Sequence, residues 1–291
     1  MKFHLIPSLG SSIATLLKQH SLQLQAALNL DIGSARIEVQ CLLQAVLQVN
    51  RAYLFTHPER SLSDAESLRY HALFERRLRG EPVAYLLGER EFFGLNFKVT
   101  PATLIPRPET ELLVDLALQR IPQLGACRVL DMGTGSGAIA LSIAHARPGA
   151  EVVAVDASES ALQVARDNQK NLNLSNVSLL LSDWFGGLAQ QRFDVIVSNP
   201  PYIAAGDEHL GLGDVRFEPL SALASGEDGL RDIRRIGAQA LKHLNARGWL
   251  MLEHGYDQAG RVREILQQAG FRQVFSACDL SGIQRVTGGC A

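Results

Sequence analysis

One stretch of this sequence places a polar side chain and two prolines directly after a buried apolar run. Residues 193–198 are rich in β-branched side chains and predict a strand of a parallel sheet. Four residues follow the strand: Asn199, Pro200, Pro201 and Tyr202. The prolines end it because they lack an amide donor, so Asn199 lies at the carboxyl end, where open α/β sheets bind ligands. The tetrapeptide predicts a rigid hydrogen-bonding cradle with an aromatic wall, or else a plain exit into a surface loop.

A turn with three alternate glycines is the second candidate site. It follows a predicted strand over 128–132 and consists of Gly133, Thr134, Gly135, Ser136 and Gly137. Alternate glycines allow the backbone to pass close to a ligand, and the helix that follows offers free amides. The spacing departs from the dinucleotide pattern G-x-G-x-x-G, because the third glycine comes one residue early. Cofactor binding and mere tight packing are both open for this turn.

Acidic residues follow or close two further strands. Asp156 ends the second predicted strand, roughly 20 residues beyond the glycine turn, where an acidic side chain commonly binds ribose hydroxyls. Its alternative role is a cap for the helix over 158–171. Asp183 and Trp184 follow the third strand. Asp183 is suited to accept from an adenine amino group while Trp184 or Phe185 packs on the ring, and the alternative is an aromatic residue that closes the sheet edge.

Strands and helices alternate through the part of the chain that contains these residues. The predicted strands cover 128–132, 151–156, 177–181, 193–198 and 249–253, two short strands lie near Val274 and Val286, and the helices cover 138–146, 161–171, 230–244 and 262–269. A long loop covers 199–228. This alternation predicts an α/β fold with a doubly wound, mostly parallel, Rossmann-like sheet. The candidate site residues then all lie at the carboxyl ends of successive strands, which favours a nucleoside-type cofactor.

The sequence divides into three predicted segments. Residues 1–83 predict a helical bundle, interpreted as a substrate-docking domain, whose clearest helix begins with a capping box of Ser63 and Glu66. Residues 84–103 predict a β-hairpin linker, because apolar and polar residues alternate around Gly94. Residues 104–291 form the predicted α/β domain.

Charge and cysteine usage exclude several classes of function. The 28 Lys and Arg residues against 30 Asp and Glu residues give a formal net charge of −2, whereas proteins that bind duplex phosphates usually carry a basic excess. The four cysteines and eight histidines are scattered, so neither a metal site nor a disulfide framework is expected.

No apolar stretch approaches the roughly 20 residues of a transmembrane helix, and the first residues lack a signal peptide's apolar segment. The sequence predicts a cytoplasmic monomer without a membrane or nucleic-acid partner.

The candidate site as a whole resembles that of class I S-adenosylmethionine-dependent methyltransferases. The resemblance lies in Asp131 to Gly137, Asp156, Asp183-Trp184 and Asn199-Pro200-Pro201-Tyr202. Two further segments resemble the peptide chain release factor glutamine methyltransferase family (PrmC, also called HemK): Leu104-Ile105-Pro106-Arg107-Pro108-Glu109-Thr110-Glu111 and Asp214-Val215-Arg216-Phe217-Glu218-Pro219-Leu220. Adenine and cytosine amino methyltransferases share N-P-P-Y, so the combination with I-P-R-P-E-T-E makes the resemblance specific. It extends over residues 60–287.

The resemblance implies methylation of the side-chain amide nitrogen of glutamine in the Gly-Gly-Gln motif of bacterial release factors. Asn199, Pro200 and Tyr202 are the implied catalytic residues: the Asn199 oxygen and the Pro200 carbonyl accept the two amide hydrogens, and Tyr202 packs against the amide. Pro201 joins them in binding the substrate. Catalysis comes mostly from positioning, without a strong general base. The implied binding residues for S-adenosylmethionine, and for the product S-adenosylhomocysteine, are Gly133, Thr134, Gly135, Ser136, Gly137, Asp156, Asp183, Trp184 and Asn199.

Three other functions stay open at this point. A glutamine methyltransferase that acts on a ribosomal protein is disfavoured by Pro106-Arg107-Pro108-Glu109. An N6-adenine nucleic-acid methyltransferase shares N-P-P-Y but would normally bring a basic groove or a target-recognition domain. A nucleotide-binding adaptor without catalysis is disfavoured by Asn199 and the complete glycine turn.

For three other polar residues a structural role is also considered. Arg216 and Glu218, in the long loop, either shape the substrate pocket or form an ion pair that fixes the loop. His254 follows the fifth strand and is interpreted as a structural histidine with satisfied hydrogen bonds.

Overall fold

The computed structural model describes residues 10–291, which belong to two compact units. The first comprises the chain up to Gly88 together with Leu212–Phe217, and the second comprises Glu89–Gly211 and Glu218–Ala291. Residues 1–9, on which the expectation about a signal peptide rests, lie outside the described residues. Within residues 10–291, no helix is long and apolar enough to span a membrane. The predicted division into domains at residues 83 and 103 stays a prediction, because it concerns which segments fold independently.

Five helices form the described part of the first unit. They are α1 (Ile13–Leu28), α2 (Ile32–Leu47), α3 (Arg51–Thr56), α4 (Asp64–Leu78) and α5 (Val83–Leu87). Their apolar faces enclose one core, in which the His20 ring stacks on Phe74 at 4.0 Å. The predicted capping box is confirmed at α4, because the Ser63 hydroxyl accepts from the Glu66 amide and the Glu66 carboxylate accepts from the Ser63 amide.

A buried arginine fixes Leu212–Phe217 within the first unit. Arg77 is 3% exposed and donates to the Glu38 carboxylate through Nε at 2.7 Å and Nη2 at 2.9 Å. Its Nη1 donates to Asp214 at 2.9 Å. A buried charge is costly unless it is paired and hydrogen-bonded, so loss of either carboxylate would destabilise this arrangement.

The second unit consists of a hairpin and an α/β sheet. Its strands are β1 (Glu89–Phe92), β2 (Leu95–Lys98), β3 (Cys127–Met132), β4 (Ala150–Asp156), β5 (Val177–Leu181), β6 (Phe193–Ser198), β7 (Leu244–Glu253), β8 (Arg272–Cys278) and β9 (Gln284–Cys290). Its helices are α6 (Glu111–Leu118), α7 (Ala138–Ala146), α8 (Glu159–Asn171), α9 (Arg231–Ala240) and α10 (Ala259–Gln268). The predicted elements are present. The largest differences are that β7 begins at residue 244 instead of 249 and that α9 ends at residue 240 instead of 244.

The hairpin of β1 and β2 is fastened to α8 by the Asn168 side chain and by an ion pair between Lys98 and Asp167 at 2.7 Å. Its turn residues Phe93 and Gly94 have φ of 52° and 74°, the left-handed pair that a two-residue hairpin turn requires. Asn168 is fully buried; its Oδ1 accepts from the Lys98 amide at 2.7 Å and its Nδ2 donates to the Lys98 carbonyl at 3.0 Å. The same Nδ2 donates to the Ser136 carbonyl at 2.8 Å. Asn168 therefore joins the hairpin to the glycine turn.

The remaining strands form one seven-stranded sheet in the described chain, with the order β5-β4-β3-β6-β7-β9-β8. The first five are parallel, whereas β9 runs antiparallel to both of its neighbours. Apolar side chains of α6 and α7 cover one face, and those of α9 and α10 cover the other. The doubly wound, mostly parallel fold is thus confirmed. The strand order reverses between β3 and β6, which opens a crevice at the carboxyl edge.

Two adjacent glycines allow β9 to lie between β7 and β8. A Cβ atom at Gly288 would lie 2.8 Å from the Leu250 carbonyl oxygen and 2.8 Å from the Phe275 ring. At Gly289 it would lie 2.8 Å from Phe271. These separations are below ordinary van der Waals contact, so residues without a side chain are needed here.

We expect Gly288→Ala to lower the free energy of unfolding by about 1–3 kcal/mol, because the added methyl meets the backbone of β7. Urea or thermal unfolding of the full chain measures the change. Gly260→Ala in α10 is the matched control: its Cβ would lie 3.9 Å from the Arg263 side chain, and alanine favours helix. Equal stability of the Gly288→Ala protein and the original would contradict the close packing of β9.

Candidate active site

A cavity of about 450 Å³ lies in the second unit, where β3, β4, β5 and β6 end. Its volume falls in the range of small-molecule sites. The predicted site residues that line it are Gly133, Thr134, Gly135, Ser136, Asp156, Asp183, Trp184, Asn199 and Pro201. Gly137, Pro200 and Tyr202 are not among its lining residues. The lining residues that were not predicted as site residues include Arg107, Thr110 and Arg235.

The glycines of the turn share a backbone conformation but differ in their surroundings. Gly133, Gly135 and Gly137 have φ of 71°, 57° and 85°. A Cβ at Gly135 would meet nothing within 4 Å, whereas a Cβ at Gly137 would lie 2.9 Å from Leu141 and 3.3 Å from Ala165. Gly135 therefore leaves room beside the cavity, and Gly137 allows α7 to pack against α8. The two roles left open by the sequence fall on different glycines.

Asp156 lines the cavity and also supports the glycine turn. Its Oδ2 accepts from the Gly135 amide at 2.8 Å, and its Oδ1 accepts from the Ser158 amide at 2.9 Å. Burial raises the pKa of this carboxyl, while the backbone amides lower it. The Ser158 hydroxyl in turn caps α8 by accepting from the Ala161 amide.

A second carboxylate lies buried beneath the turn. Asp131 is fully buried, and its Oδ2 accepts from the Thr134 hydroxyl at 2.6 Å and from the Ala140 amide at 3.2 Å. Its Oδ1 has no hydrogen-bond partner within the described chain. Burial raises the pKa of Asp131 to about 7. This carboxylate fixes Thr134 at the cavity and retains capacity for one more donor.

The aromatic residues after β5 have separate positions. Trp184 lines the cavity with φ of 52°, which is rare for a bulky side chain, and its ring lies beside Gly133. Phe185 is buried in the core, where its ring stacks on His243 at 4.5 Å. Of the two aromatic residues proposed for stacking on a cofactor ring, the structure therefore places Trp184 at the cavity.

Asp183 has a partner that the sequence did not indicate. Both oxygens of its carboxylate accept from the Arg235 guanidinium, at 2.8 and 2.7 Å. Each oxygen keeps a lone pair for another donor. Arg235 extends from α9 and also lines the cavity, so it orients Asp183 there.

The tetrapeptide after β6 is held at both ends. Asn199 lines the cavity, and its Nδ2 donates to the Thr110 hydroxyl at 3.3 Å. The Tyr202 carbonyl accepts from Gln258 at 2.9 Å, and burial raises the pKa of the Tyr202 hydroxyl. The chain then returns towards α9 through a parallel bridge between Ile203 and Ala224. These contacts fix the segment that follows Asn199.

For Arg216 and Glu218 the sequence left open a role in shaping the pocket or a mutual ion pair, and the structure shows another partner for each. Glu218 accepts from Arg107 at 2.6 Å, and the Glu218 side chain is fully buried. Arg216 instead donates to the Arg79 carbonyl at 3.0 Å within the first unit. The Arg107–Glu218 pair connects the segment before α6 to the long loop beside the cavity.

Two residues at the end of β7 have contrasting roles. His254 is fully buried, with ring nitrogens 2.9 Å from the Gly255 carbonyl and 2.8 Å from the Thr287 hydroxyl, which confirms a structural histidine. Glu253 is 2% exposed, and its Oε2 has no hydrogen-bond partner within the described chain. Burial raises the pKa of Glu253 to about 7, against the lowering effect of hydrogen bonds with Thr110 and Asn199. Sequence reasoning did not place Glu253 or Thr110 in the site.

The described residues contain neither a metal-binding cluster nor a disulfide. Among residues 10–291, no cluster of His, Cys, Asp or Glu is arranged to hold a metal ion. The four cysteines, all within the described residues, form no disulfide. The chemical groups of the site are therefore its carboxylates, its backbone amides, the Trp184 ring and the Asn199 side chain.

Comparisons with known proteins place this geometry in a family. Models for the PrmC N-terminal domain and the methyltransferase small domain match residues 15–88 and 109–217. A protein of Pseudomonas aeruginosa named release factor glutamine methyltransferase is 49% identical over 277 residues, which are 95% of this chain and 98% of that protein. One of the same name from Xylella fastidiosa is 50% identical over 254 residues, 87% of this chain and 92% of that protein.

A solved structure supports the fold separately. The crystal structure of a methyltransferase from Pyrococcus furiosus matches with a TM-score of 0.52 at 21% identity, and the match covers 74% of this chain and 96% of that one. It shows a shared methyltransferase-like fold and nothing finer. Sequence identity near one half over nearly the whole chain is far more specific, and by that identity the chain belongs to the release factor glutamine methyltransferase family.

Proposed function

We propose that this chain methylates the side-chain amide nitrogen of the glutamine in the Gly-Gly-Gln motif of peptide chain release factors, with S-adenosylmethionine as the methyl donor. The observation that supports it most directly is the position of Asn199, which lines the cavity while its Nδ2 donates to Thr110 at 3.3 Å. Its Oδ1 is thereby left to accept an N–H of a substrate amide. We infer the identity of that amide from the family, and we infer that a chain acting on release factors works in the cytoplasm.

The chemistry requires acceptors more than it requires a base. An amide nitrogen is a weak nucleophile because its lone pair is delocalised into the carbonyl. Asn199 Oδ1 and the Pro200 carbonyl would each accept one N–H, which orients the nitrogen and increases its electron density. Pro201 lines the cavity beside Asn199, and Tyr202 follows in the fixed segment. Rotation of the substrate amide out of the productive orientation is then disfavoured.

The cavity offers the hydrogen-bond acceptors and the aromatic ring that S-adenosylmethionine requires, and its volume suits a small molecule. Asp156 would accept from the ribose hydroxyls, the Trp184 ring would pack on adenine, and Asp183 would accept from the adenine amino group. The exposed backbone at Gly133 and Gly135 permits close approach, because no Cβ occupies that space. When bound, the cofactor supplies a methyl carbon made electrophilic by a sulfonium. Gly137 contributes through packing of α7.

Trp184→Ala should weaken S-adenosylmethionine binding by about 1–3 kcal/mol, the usual range for loss of a stacked aromatic ring. That corresponds to a roughly 5- to 150-fold higher Kd by titration calorimetry. Tyr256→Ala is the control, because Tyr256 is an exposed aromatic residue away from the cavity lining. An unchanged Kd for Trp184→Ala would show that the Trp184 ring does not contribute to cofactor binding.

A labelled-methyl assay tests the proposed function. The protein is incubated with methyl-labelled S-adenosylmethionine and, separately, a release factor, a ribosomal protein with an accessible glutamine, and DNA. We expect label in the release factor, absent when its Gly-Gly-Gln glutamine is replaced by alanine. Label only in the ribosomal protein or only in DNA would contradict the proposal and favour the corresponding alternative. The monomeric state stays a prediction, which light scattering would check.

A further inference from the structure

The buried carboxylate at the end of β7 lies where it can control the Asn199 side chain. Thr110, which is 4% exposed, lies between them: its hydroxyl accepts from Asn199 Nδ2 at 3.3 Å. Glu253 follows Leu252, which pairs with Ser198 immediately before Asn199, so the ends of β6 and β7 place the two side chains next to each other. Thr110 and Asn199 are close enough to Glu253 to lower its pKa as hydrogen-bond donors. The three residues come from the turn before α6, the end of β6 and the end of β7. No residue of this group other than Asn199 is needed to touch the substrate.

The direction of these hydrogen bonds depends on Glu253. An ionised carboxylate only accepts, so it makes the Thr110 hydroxyl donate towards Glu253 and accept from Asn199. Asn199 then turns its Nδ2 away from the cavity and presents Oδ1. A protonated Glu253 carries an O–H donor, and the Thr110 hydroxyl can reverse. Asn199 is then free to present Nδ2, a donor that would face the N–H donors of a substrate amide.

We infer that Glu253 is a positioning residue that, in its ionised form and through Thr110, holds the Asn199 amide with its oxygen towards the substrate. The inference rests on the proposed function for the identity of the substrate amide. It assigns Glu253 no role as a base, since it acts on Asn199 rather than on the reacting nitrogen. Its unpartnered Oε2 is consistent with a group retained for its charge rather than for packing.

Charged groups around Glu253 allow its ionisation to change near neutral pH. Arg285 favours the charged form, whereas Glu109 disfavours it, and burial disfavours it most. The Tyr202 hydroxyl, whose own pKa is raised by burial and by Glu253, stays neutral. The pKa of about 7 for Glu253 means that the acceptor-only form prevails above pH 7 and the donor form below it.

Turnover measured from pH 6 to pH 8 tests the inference, with saturating S-adenosylmethionine and a release factor. We expect kcat of the original protein to rise with pH through an inflection near 7. Glu253→Gln should lose that inflection and fall roughly tenfold at pH 8, since its amide can present either atom to Thr110. The KM for release factor and the Kd for S-adenosylmethionine should change little. Glu109→Gln is the matched control: the inflection should remain but move to lower pH, because a neighbouring negative charge has been removed.

Variants of Thr110 separate positioning from structural loss. Thr110→Ser keeps the hydroxyl and should keep both rate and inflection, whereas Thr110→Val keeps the volume and should lose both. Melting temperatures identify any variant that is unfolded. A Glu253→Gln protein with the original rate and inflection, or a Thr110→Val protein with both intact, would overturn the inference.

A measurement without turnover keeps this inference distinct from the proposed function. The side-chain amide signals of Asn199 in ¹⁵N NMR, identified by their loss in Asn199→Ala, should shift with pH around 7 in the original protein and not in Glu253→Gln. Signals that titrate equally in both proteins would contradict the inference even if methyl transfer to release factor is observed. Absence of methyl transfer together with this titration would instead overturn only the proposed function.

Discussion

Asn199→Ala is expected to lower kcat for methyl transfer by roughly 100- to 1,000-fold, the range seen when one hydrogen-bonding group aimed at a reacting centre is removed. The substitution removes an acceptor that the structure fixes through Thr110 at 3.3 Å. The substrate amide then keeps its lone pair delocalised and loses its orientation. S-adenosylmethionine binding should stay almost unchanged, because the glycine turn, Asp156 and Trp184 are intact.

Single-turnover kinetics with labelled cofactor and calorimetric Kd measurement separate these effects. Asn96→Ala is the control, since Asn96 is exposed on β2 and outside the cavity lining. Equal single-turnover rates for Asn199→Ala and the original protein would show that the amide cradle does not contribute. A large loss of cofactor affinity with normal turnover at saturation would place Asn199 in the cofactor site alone.

The second large effect is expected at a glycine that contacts the same segment. Gly229 has φ of 75°, and an added Cβ would overlap the Tyr202 carbonyl oxygen and lie 2.8 Å from the Gln258 amide nitrogen. Gly229→Ala should destabilise the protein by about 2–5 kcal/mol, from the left-handed conformation and from overpacking together. The Tm should fall by roughly 4–20 °C. Turnover should also fall, because relief of the overlap moves the chain that follows Asn199.

Thermal unfolding and kcat at a temperature where the variant is folded provide the readouts. Gly206→Ala lies in the same long loop, where an added Cβ meets nothing within 4 Å, and it should leave Tm and kcat near their original values. A Gly229→Ala protein with the Tm of the Gly206→Ala control would refute the close contact with Tyr202.

Much of the fold follows from local sequence signals. The β-branched run before Asn199 and the Ser63–Glu66 capping box specify their elements within a few residues, because the deciding contacts are close in sequence. The start of β7 was predicted late, since residues 244–248 lack an apolar run and pair with β6 only through an irregular register. Gly288 and Gly289 in β9 carry no strand pattern of their own, because the close approach of β7, Phe271 and Phe275 leaves no space for a side chain there.

The sequence predicted the site residues that lie at strand ends, but it did not predict contacts between residues that are distant in sequence. Residues 133–136 of the glycine turn, Asp156, Trp184 and Asn199 line the cavity, because parallel strands bring their carboxyl ends to one edge. Glu253 and Thr110 were missed, since their relation to Asn199 exists only after the chain has folded; Thr110 and Asn199 are 89 positions apart. The Arg107–Glu218 ion pair was missed for the same reason, since the two residues are 111 positions apart.

The interior position of β9 also bears on how the protein is made. Translation delivers β7 and β8 before the strand that joins them, so the β7 edge carries unpaired amides and carbonyls until residues 284–290 have left the ribosome. Such an edge is a template for mispairing in a nascent chain. Mutations or translational pauses that delay β9 should therefore increase aggregation during synthesis without changing the mature enzyme. A protein proposed to act on release factors would itself depend on prompt completion of its own translation.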